Sequence, residues 1–188
     1  WRENQNHGAR MFFENPVEID VNSETALITF TTGSTQIPKA AKRTHGFLDA
    51  QFSALQRTLK TQDTVVDMPV LPIVLLINLG EGITSVIADW KSSKPHTLNP
   101  SIIANQWQKY GVTRVISSPY FIDQMARFCL THPDCGDSIT EIFAGGAPVF
   151  PDSAERWNIA FPQAKSTIVY GSTEAEPISE VDAKALSI

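Results

Sequence analysis

The chain has 188 residues, long enough for about one domain with a sizeable core, and its 42% apolar and 19% charged residues exclude a disordered or fibrous architecture. A net charge of -5, from 15 basic and 20 acidic residues spread along the chain, excludes broad electrostatic binding to nucleic acid or to an anionic membrane. The longest apolar run, 70–79, contains Pro72 and Asn78 and is far short of the ~20 residues that cross a bilayer.

The opening Trp1-Arg2-Glu3-Asn4-Gln5-Asn6 is polar, unlike a signal peptide, and lacks an initiator Met; it favours a cytoplasmic setting, with residues 1–23 as an N-terminal extension. Ala26–Thr31 is β-rich and apolar and runs into a Gly/Ser/Thr/Pro loop, which predicts a buried strand delivering that loop. Phe47, Leu48, Phe52, Leu55 and Leu59 then recur at helical spacing after Thr44 or His45, so the loop is expected between a strand and a helix. Thr64–Met68 reads as a short strand, Ile73–Leu79 as a short helix after Pro72, and Gly82–Ala88 as another strand. Asn99 and Pro100 supply a cap and a first turn for a helix through Ile103, Trp107 and Tyr110 that Gly111 stops, with a strand over Val112–Ile116. Ser118-Pro119 opens a helix carrying Phe121, Ile122, Met125, Phe128 and Cys129, and Ile139–Ala144 is a strand running into Gly145-Gly146. Pro151–Ala160 is the last helix, Ser166–Tyr170 the last strand, Gly171–Glu176 a loop, and 179–188 a polar tail with no ordered element expected.

This alternation predicts an α/β fold, a largely parallel sheet flanked by helices. Ligands in such sheets gather at the carboxyl ends of the strands, where three loops rich in small or polar residues fall: Thr31–Lys39, Gly145–Pro148 and Gly171–Glu174. The two cysteines, Cys129 and Cys135, match no disulfide framework or zinc spacing and read as buried or incidental thiols. His45, at a helix start, reads as structural, and His96 and His132 lie in polar loops. Trp107 and Tyr110, on a helical face, read as core or rim packing.

A triphosphate needs many donors at close range. Thr31, Thr32, Gly33, Ser34 and Thr35 supply backbone N–H groups and hydroxyls, and Lys39 supplies a mobile positive charge. The spacing is not that of a Walker loop, because Pro38 precedes the Lys and G-x-x-x-x-G-K-[ST] is missing. A polar turn after a strand is the alternative reading of this loop taken alone.

Thr31-Thr32-Gly33-Ser34-Thr35-Gln36-Ile37-Pro38-Lys39-Ala40 resembles the T-S-G-T-T-G-x-P-K-G signature of the adenylate-forming (AMP-binding) superfamily: acyl-CoA synthetases, luciferases and peptide synthetase adenylation domains. Gln36 stands where that signature has a second Gly, which removes a residue free to adopt positive φ. Downstream, Tyr170-Gly171-Ser172-Thr173-Glu174 resembles the Y-G-x-T-E signature, and Gly145-Gly146-Ala147-Pro148 the G-G-A-P stretch of the adenine pocket. The resemblance implies that Thr31, Thr32, Gly33, Ser34, Thr35 and Lys39 grip the phosphates of ATP, that Gly145, Gly146, Ala147, Pro148, Tyr170, Gly171 and Ser172 place the nucleotide, that Thr173 offers its hydroxyl to a phosphate, and that Glu174 holds Mg²⁺. Thr173, Glu174 and Lys39 are then the catalytic residues. Asp67–Pro72 and the stretch to Thr84 resemble the L-P-x-F-H region near the acyl pocket, without its aromatic or its His.

The nearest branch is that of fatty-acid ligase-like enzymes and olefin-pathway β-lactone synthetases. This implies ATP-dependent activation of a fatty or β-hydroxy fatty acid to an acyl adenylate, with CoA or an intramolecular hydroxyl as acceptor. Residues 24–178 would be the central portion of the AMP-binding domain. Family members are several hundred residues longer, with a ribose-binding Asp motif, a hinge and a small domain carrying a catalytic Lys, none of which 180–188 replaces. The expectation is therefore an inactive or very weakly active fragment whose exposed sheet edges favour homo-oligomers. A non-catalytic nucleotide-binding module, suggested by Gln36, is the competing reading; a different α/β enzyme is the third.

Overall fold

The computed structural model describes residues 23–31, 39–59, 65–172 and 175–186. In chain order the elements are β1 (Thr25–Thr31), β2 (Lys39–Thr44), α1 (His45–Leu59), β3 (Val66–Pro69), α2 (Pro72–Glu81), β4 (Thr84–Ser85), α3 (Pro100–Tyr110), β5 (Arg114–Ser117), α4 (Pro119–Cys129), β6 (Glu141–Gly145), α5 (Pro151–Ala160), β7 (Lys165–Ser172) and β8 (Ala175–Asp182). Short 3₁₀ turns lie at Pro95–Thr97 and Ala183–Ala185.

The helix boundaries follow from local chemistry. Asn99 Oδ1 accepts the Ser101 amide at 3.1 Å ahead of Pro100, satisfying a donor that the first turn of α3 would leave orphaned. Gly111 ends the same helix at φ 63, a left-handed conformation that costs glycine nothing. Thr44 Oγ1 accepts from the Phe47 amide at 3.1 Å and so caps α1.

Six strands form the main sheet in the order β4-β3-β5-β6-β7-β8. Every pairing is parallel except β7 with β8. The paired strands β5 and β6 alternate across the sheet. Val115 and Ile142 enter a core with Ile103, Trp107, Phe121, Met125 and Trp157 from α3, α4 and α5. Ile116 and Phe143 enter a second core with Leu55, Leu59, Val74 and Ile77 from α1 and α2. Burial on both faces is what parallel strands require, and the helix–sheet–helix layering matches the expected fold class.

A polar network is buried within this sheet. Arg114, first residue of β5, donates to Asp67 Oδ2 at 3.1 Å, with both side chains fully buried. Asn78 Nδ2 donates to the same oxygen at 2.8 Å, and Arg114 also donates to the Leu59 carbonyl at 3.3 Å. Burial pushes the Asp67 carboxyl up from its ordinary value, opposed by the Arg114 charge and the Asn78 bond.

Five sequence expectations need correction. The stretch Ala26–Thr31 is not a buried strand of the main sheet. As part of β1 it pairs antiparallel with β2 in a separate two-stranded ribbon, leaving Ile28 and Phe30 exposed. The segment after Lys39 is a strand before it is a helix; Lys39-Ala40-Ala41-Lys42-Arg43 has neither β-branched residues nor apolar alternation, and its strand form comes from pairing with β1. Of Gly82–Ala88 only Thr84–Ser85 pairs regularly, because β4 is an edge strand and the chain turns away after Val86 donates to the Asp67 carbonyl. The loop and tail after Ser172 contain β8, a polar edge strand with Pro177 at a register shift, which edge positions tolerate; the 3₁₀ turn follows it, and 187–188 lie outside the described residues. Cys129 and Cys135 are joined by a disulfide: the turns after α4 bring their Cα atoms to 5.0 Å, within bridging range.

Candidate functional site

In a parallel array every strand ends on the same edge, so β5, β6 and β7 deliver Ser117, Gly145 and Tyr170–Ser172 side by side. Gly145 pairs with Val169, and a Cβ on Gly145 would stand 3.1 Å from the Val169 carbonyl oxygen, tighter than ordinary contact. Gly146 follows at φ 84 and turns the chain off the sheet. The backbone that leaves β6 is therefore bare of side chains where it passes β7.

A cavity of about 420 Å³ lies between α1 and α2, and a larger one, about 510 Å³, lies at this strand edge. Gly146, Ala147, Pro148 and Val149 line one side of the edge cavity; Ile168, Val169, Tyr170 and Gly171 line the other. Tyr170 is 64% exposed, so its ring is free to take a partner on its face. Small residues and bare backbone opposite an aromatic ring suit a flat heteroaromatic group. Two segments separated by more than twenty residues in the sequence, Gly146–Pro148 and Tyr170–Gly171, are thus brought to one wall-and-face arrangement.

The remaining candidate residues divide as follows. Thr31 and Lys39 are register partners, so they close the β1–β2 ribbon at the ends of the candidate phosphate loop. Thr32, Gly33, Ser34 and Thr35, with Gln36, lie outside the described residues, as do Thr173 and Glu174. Their flanking residues Ser172 and Ala175 pair across β7 and β8. Gly145 is buried and Ser172 is exposed. Among the described residues no group of three or more His, Cys, Asp and Glu could hold a metal ion.

His45 is exposed at the first turn of α1, where its amide donates to the Glu24 carbonyl at 3.2 Å. The His132 ring stacks on Phe128. Trp107 is buried with its indole N–H on Met68 Sδ at 3.2 Å, and Tyr110 is exposed at the rim. None of these side chains lines the edge cavity.

A buried polar chain beside the site has no counterpart among the sequence expectations. Arg43 Nη1 of β2 donates to Gln51 Oε1 of α1 at 2.8 Å, and Gln51 Nε2 donates to Glu176 Oε2 of β8 at 3.4 Å. Burial pushes the Glu176 carboxyl up from its ordinary value, and the Arg43 charge partly offsets this. The Arg43 guanidinium also lies 5.4 Å from the centre of the Phe47 ring. One signal was present in the sequence: Gln51 falls four residues before Leu55 and eight before Leu59, on the stripe that α1 buries.

A profile of the AMP-binding enzyme family matches residues 2–186. The olefin β-lactone synthetase of Xanthomonas campestris pv. campestris is 29% identical over 164 residues, and that of Stenotrophomonas maltophilia is 30% identical over the same length. Each match covers 87% of this chain, which spans only 29% of the length of either relative. Among solved structures, O-succinylbenzoate coenzyme A synthetase from Bacillus subtilis, in complex with AMP, superposes with a TM-score of 0.69 at 19% identity, covering 87% of this chain and 33% of that one. The order of the two glycine-bearing signatures, their meeting at one sheet edge and the match along nearly the whole chain agree: this chain belongs to the AMP-binding family of adenylate-forming, ligase-like enzymes.

Proposed function

We propose that this chain is the nucleotide-handling part of an enzyme that activates a fatty or β-hydroxy fatty acid with ATP. The observation that carries the proposal is the edge cavity, in which Gly146–Pro148 face Tyr170 and Gly171. Its form fits adenine: a flat ring can lie on the Tyr170 face, and the opposite segment offers only Gly146, Ala147, Pro148 and Val149.

In the proposed reaction a substrate carboxylate oxygen attacks the α-phosphorus of ATP. The new P–O bond replaces the bond to the bridging oxygen, pyrophosphate departs with that electron pair, and the product is a mixed acyl–AMP anhydride. Little covalent work falls to the protein, so catalysis is positioning and charge stabilisation. Tyr170 and Gly145–Pro148 would place adenine, Thr31–Thr35 with Lys39 would hold the β- and γ-phosphates, and the Thr173 hydroxyl would donate to a phosphate oxygen. Glu174 is the residue that would hold Mg²⁺, a hard cation that takes oxygen ligands and offsets phosphate charge. The acyl group would then pass to a CoA thiol or to the substrate's own hydroxyl: the new C–S or C–O bond replaces the anhydride C–O bond, AMP departs with that electron pair, and the acceptor's proton is released to solvent. ATP use favours a cytoplasmic setting.

Pyrophosphate exchange into ATP, measured on the parent enzyme with a panel of fatty and β-hydroxy acids, tests this reading. Acid-dependent exchange is expected; its absence with every acid, alongside retained MgATP binding, would favour the non-catalytic nucleotide-binding module that Gln36 suggests.

A further inference from the structure

We infer that Gln51 is a positioning residue that locks the phosphate-loop ribbon to the strand leaving the Tyr170–Glu174 signature, an inference that rests on the nucleotide reading above. Gln51 is 5% exposed and shares the buried stripe of α1 with Leu55 and Leu59. For stability alone an all-apolar cluster would serve as well, because replacing the buried polar partners together by matched apolar groups is near neutral. The amide at position 51 instead uses both its ends. Its oxygen takes the Arg43 guanidinium at 2.8 Å, and its nitrogen reaches Glu176 at 3.4 Å.

The three side chains belong to three elements, and two of those elements leave the signature segments. Arg43 lies on β2, whose first residue is Lys39. Glu176 lies on β8, two residues after Glu174. Gly171 completes the contact: a Cβ there would stand 2.9 Å from Glu176 Cγ, so the bare glycine on the cavity wall is what admits Glu176. The chain Arg43–Gln51–Glu176 therefore ends against the candidate adenine site. Through it the ribbon and the β7–β8 hairpin hold one relative placement, so that phosphate donors and adenine contacts fit a single nucleotide.

The test is MgATP binding by titration calorimetry on this chain and three variants, each confirmed folded by circular dichroism. Gln51→Leu removes both hydrogen bonds. Gln51→Glu keeps the Arg43 acceptor but sets two carboxylates against each other. The exchanged pair Gln51→Glu with Glu176→Gln restores a donor, now pointing from position 176 to position 51. Both single variants should weaken binding about tenfold, the scale of one charge-assisted hydrogen bond, and the exchanged pair should return to within about threefold of wild type. Rescue by reversing the bond is a result that loss of packing does not produce. If Gln51→Leu fails to fold, Gln51→Glu and the exchanged pair decide the matter. Wild-type affinity in the single variants, or no recovery in the pair, overturns the inference alone. A wild-type chain that binds no MgATP overturns the nucleotide reading and this inference with it.

Discussion

Replacing Arg114 by Met would strip its cationic partner from a carboxylate that has no exposed surface. Removing one member of a buried ion pair costs about 3–5 kcal/mol, and the lost bond to the Leu59 carbonyl places the expected value in the upper half of that range. At roughly 2–4 °C per kcal/mol for a chain of this size, the melting temperature should fall by about 8–20 °C. The pH dependence carries the sharper content. Burial already raises the folded-state pKa of Asp67 above 3.8, and Arg114 is the largest influence opposing it. Without Arg114 the folded-state value rises further, so the folded protein binds a proton that the unfolded chain releases. The resulting contribution to stability is complete below 3.8 and is lost as pH rises through the folded value. Urea unfolding of the variant should therefore show a smaller penalty at pH 5 than at pH 7, a difference absent from wild type to the same degree. The double variant Asp67→Leu/Arg114→Met, which empties the site of charge, should recover to within about 1–2 kcal/mol of wild type. A penalty below about 1 kcal/mol, or one that does not change between the two pH values, would refute the assignment of this pair as a coupled buried charge site.

Tyr170→Ala should leave stability within about 0.5 kcal/mol, since the ring is largely exposed, yet weaken MgATP binding up to about tenfold, the worth of one aromatic contact; thermal denaturation and calorimetry read the two effects separately. Gly146→Val should cost about 1–2 kcal/mol through its φ of 84 and also fill one wall of the edge cavity, lowering nucleotide affinity beyond the loss in stability. Lys39→Ala and Glu174→Ala should each weaken MgATP binding in the same assay, and unchanged titrations in both would reject the phosphate and Mg²⁺ roles drawn from the two signatures.

The layered fold was legible in the sequence because α3, α4 and α5 carry their own punctuation. Asn99-Pro100, Gly111 and Ser118-Pro119 set boundaries through local chemistry, and the structure runs α3 between the first two and starts α4 at the third. The wall of the candidate site was legible for a different reason: Gly145-Gly146 and Tyr170-Gly171 end strands, and a parallel sheet brings strand ends together. What local pattern could not show is pairing decided at a distance. Lys39–Thr44 and Ala175–Asp182 are polar strands whose form depends on β1 and β7, so neither has a periodic signature of its own. The Cys129–Cys135 bond depends on the turns after α4, which spacing does not reveal. Gln51 was hidden by its element: in a helix read for its apolar stripe, a polar residue on that stripe is easily taken for an interruption rather than the junction of three elements.

The split of neighbouring residues between the two cores, Val115 and Ile142 to one side and Ile116 and Phe143 to the other, has a consequence for how such an enzyme can diversify. One residue added to or lost from β5 or β6 would exchange the occupants of both cores at once. Strand length is thus effectively frozen. Change is confined to the loops at the carboxyl edge, such as the one that follows Gly145, where Gly146, Ala147 and Pro148 lie outside the packing of either layer. The scaffold is conservative in register and permissive at its rim, which lets the residues of the edge cavity vary without remaking the interior.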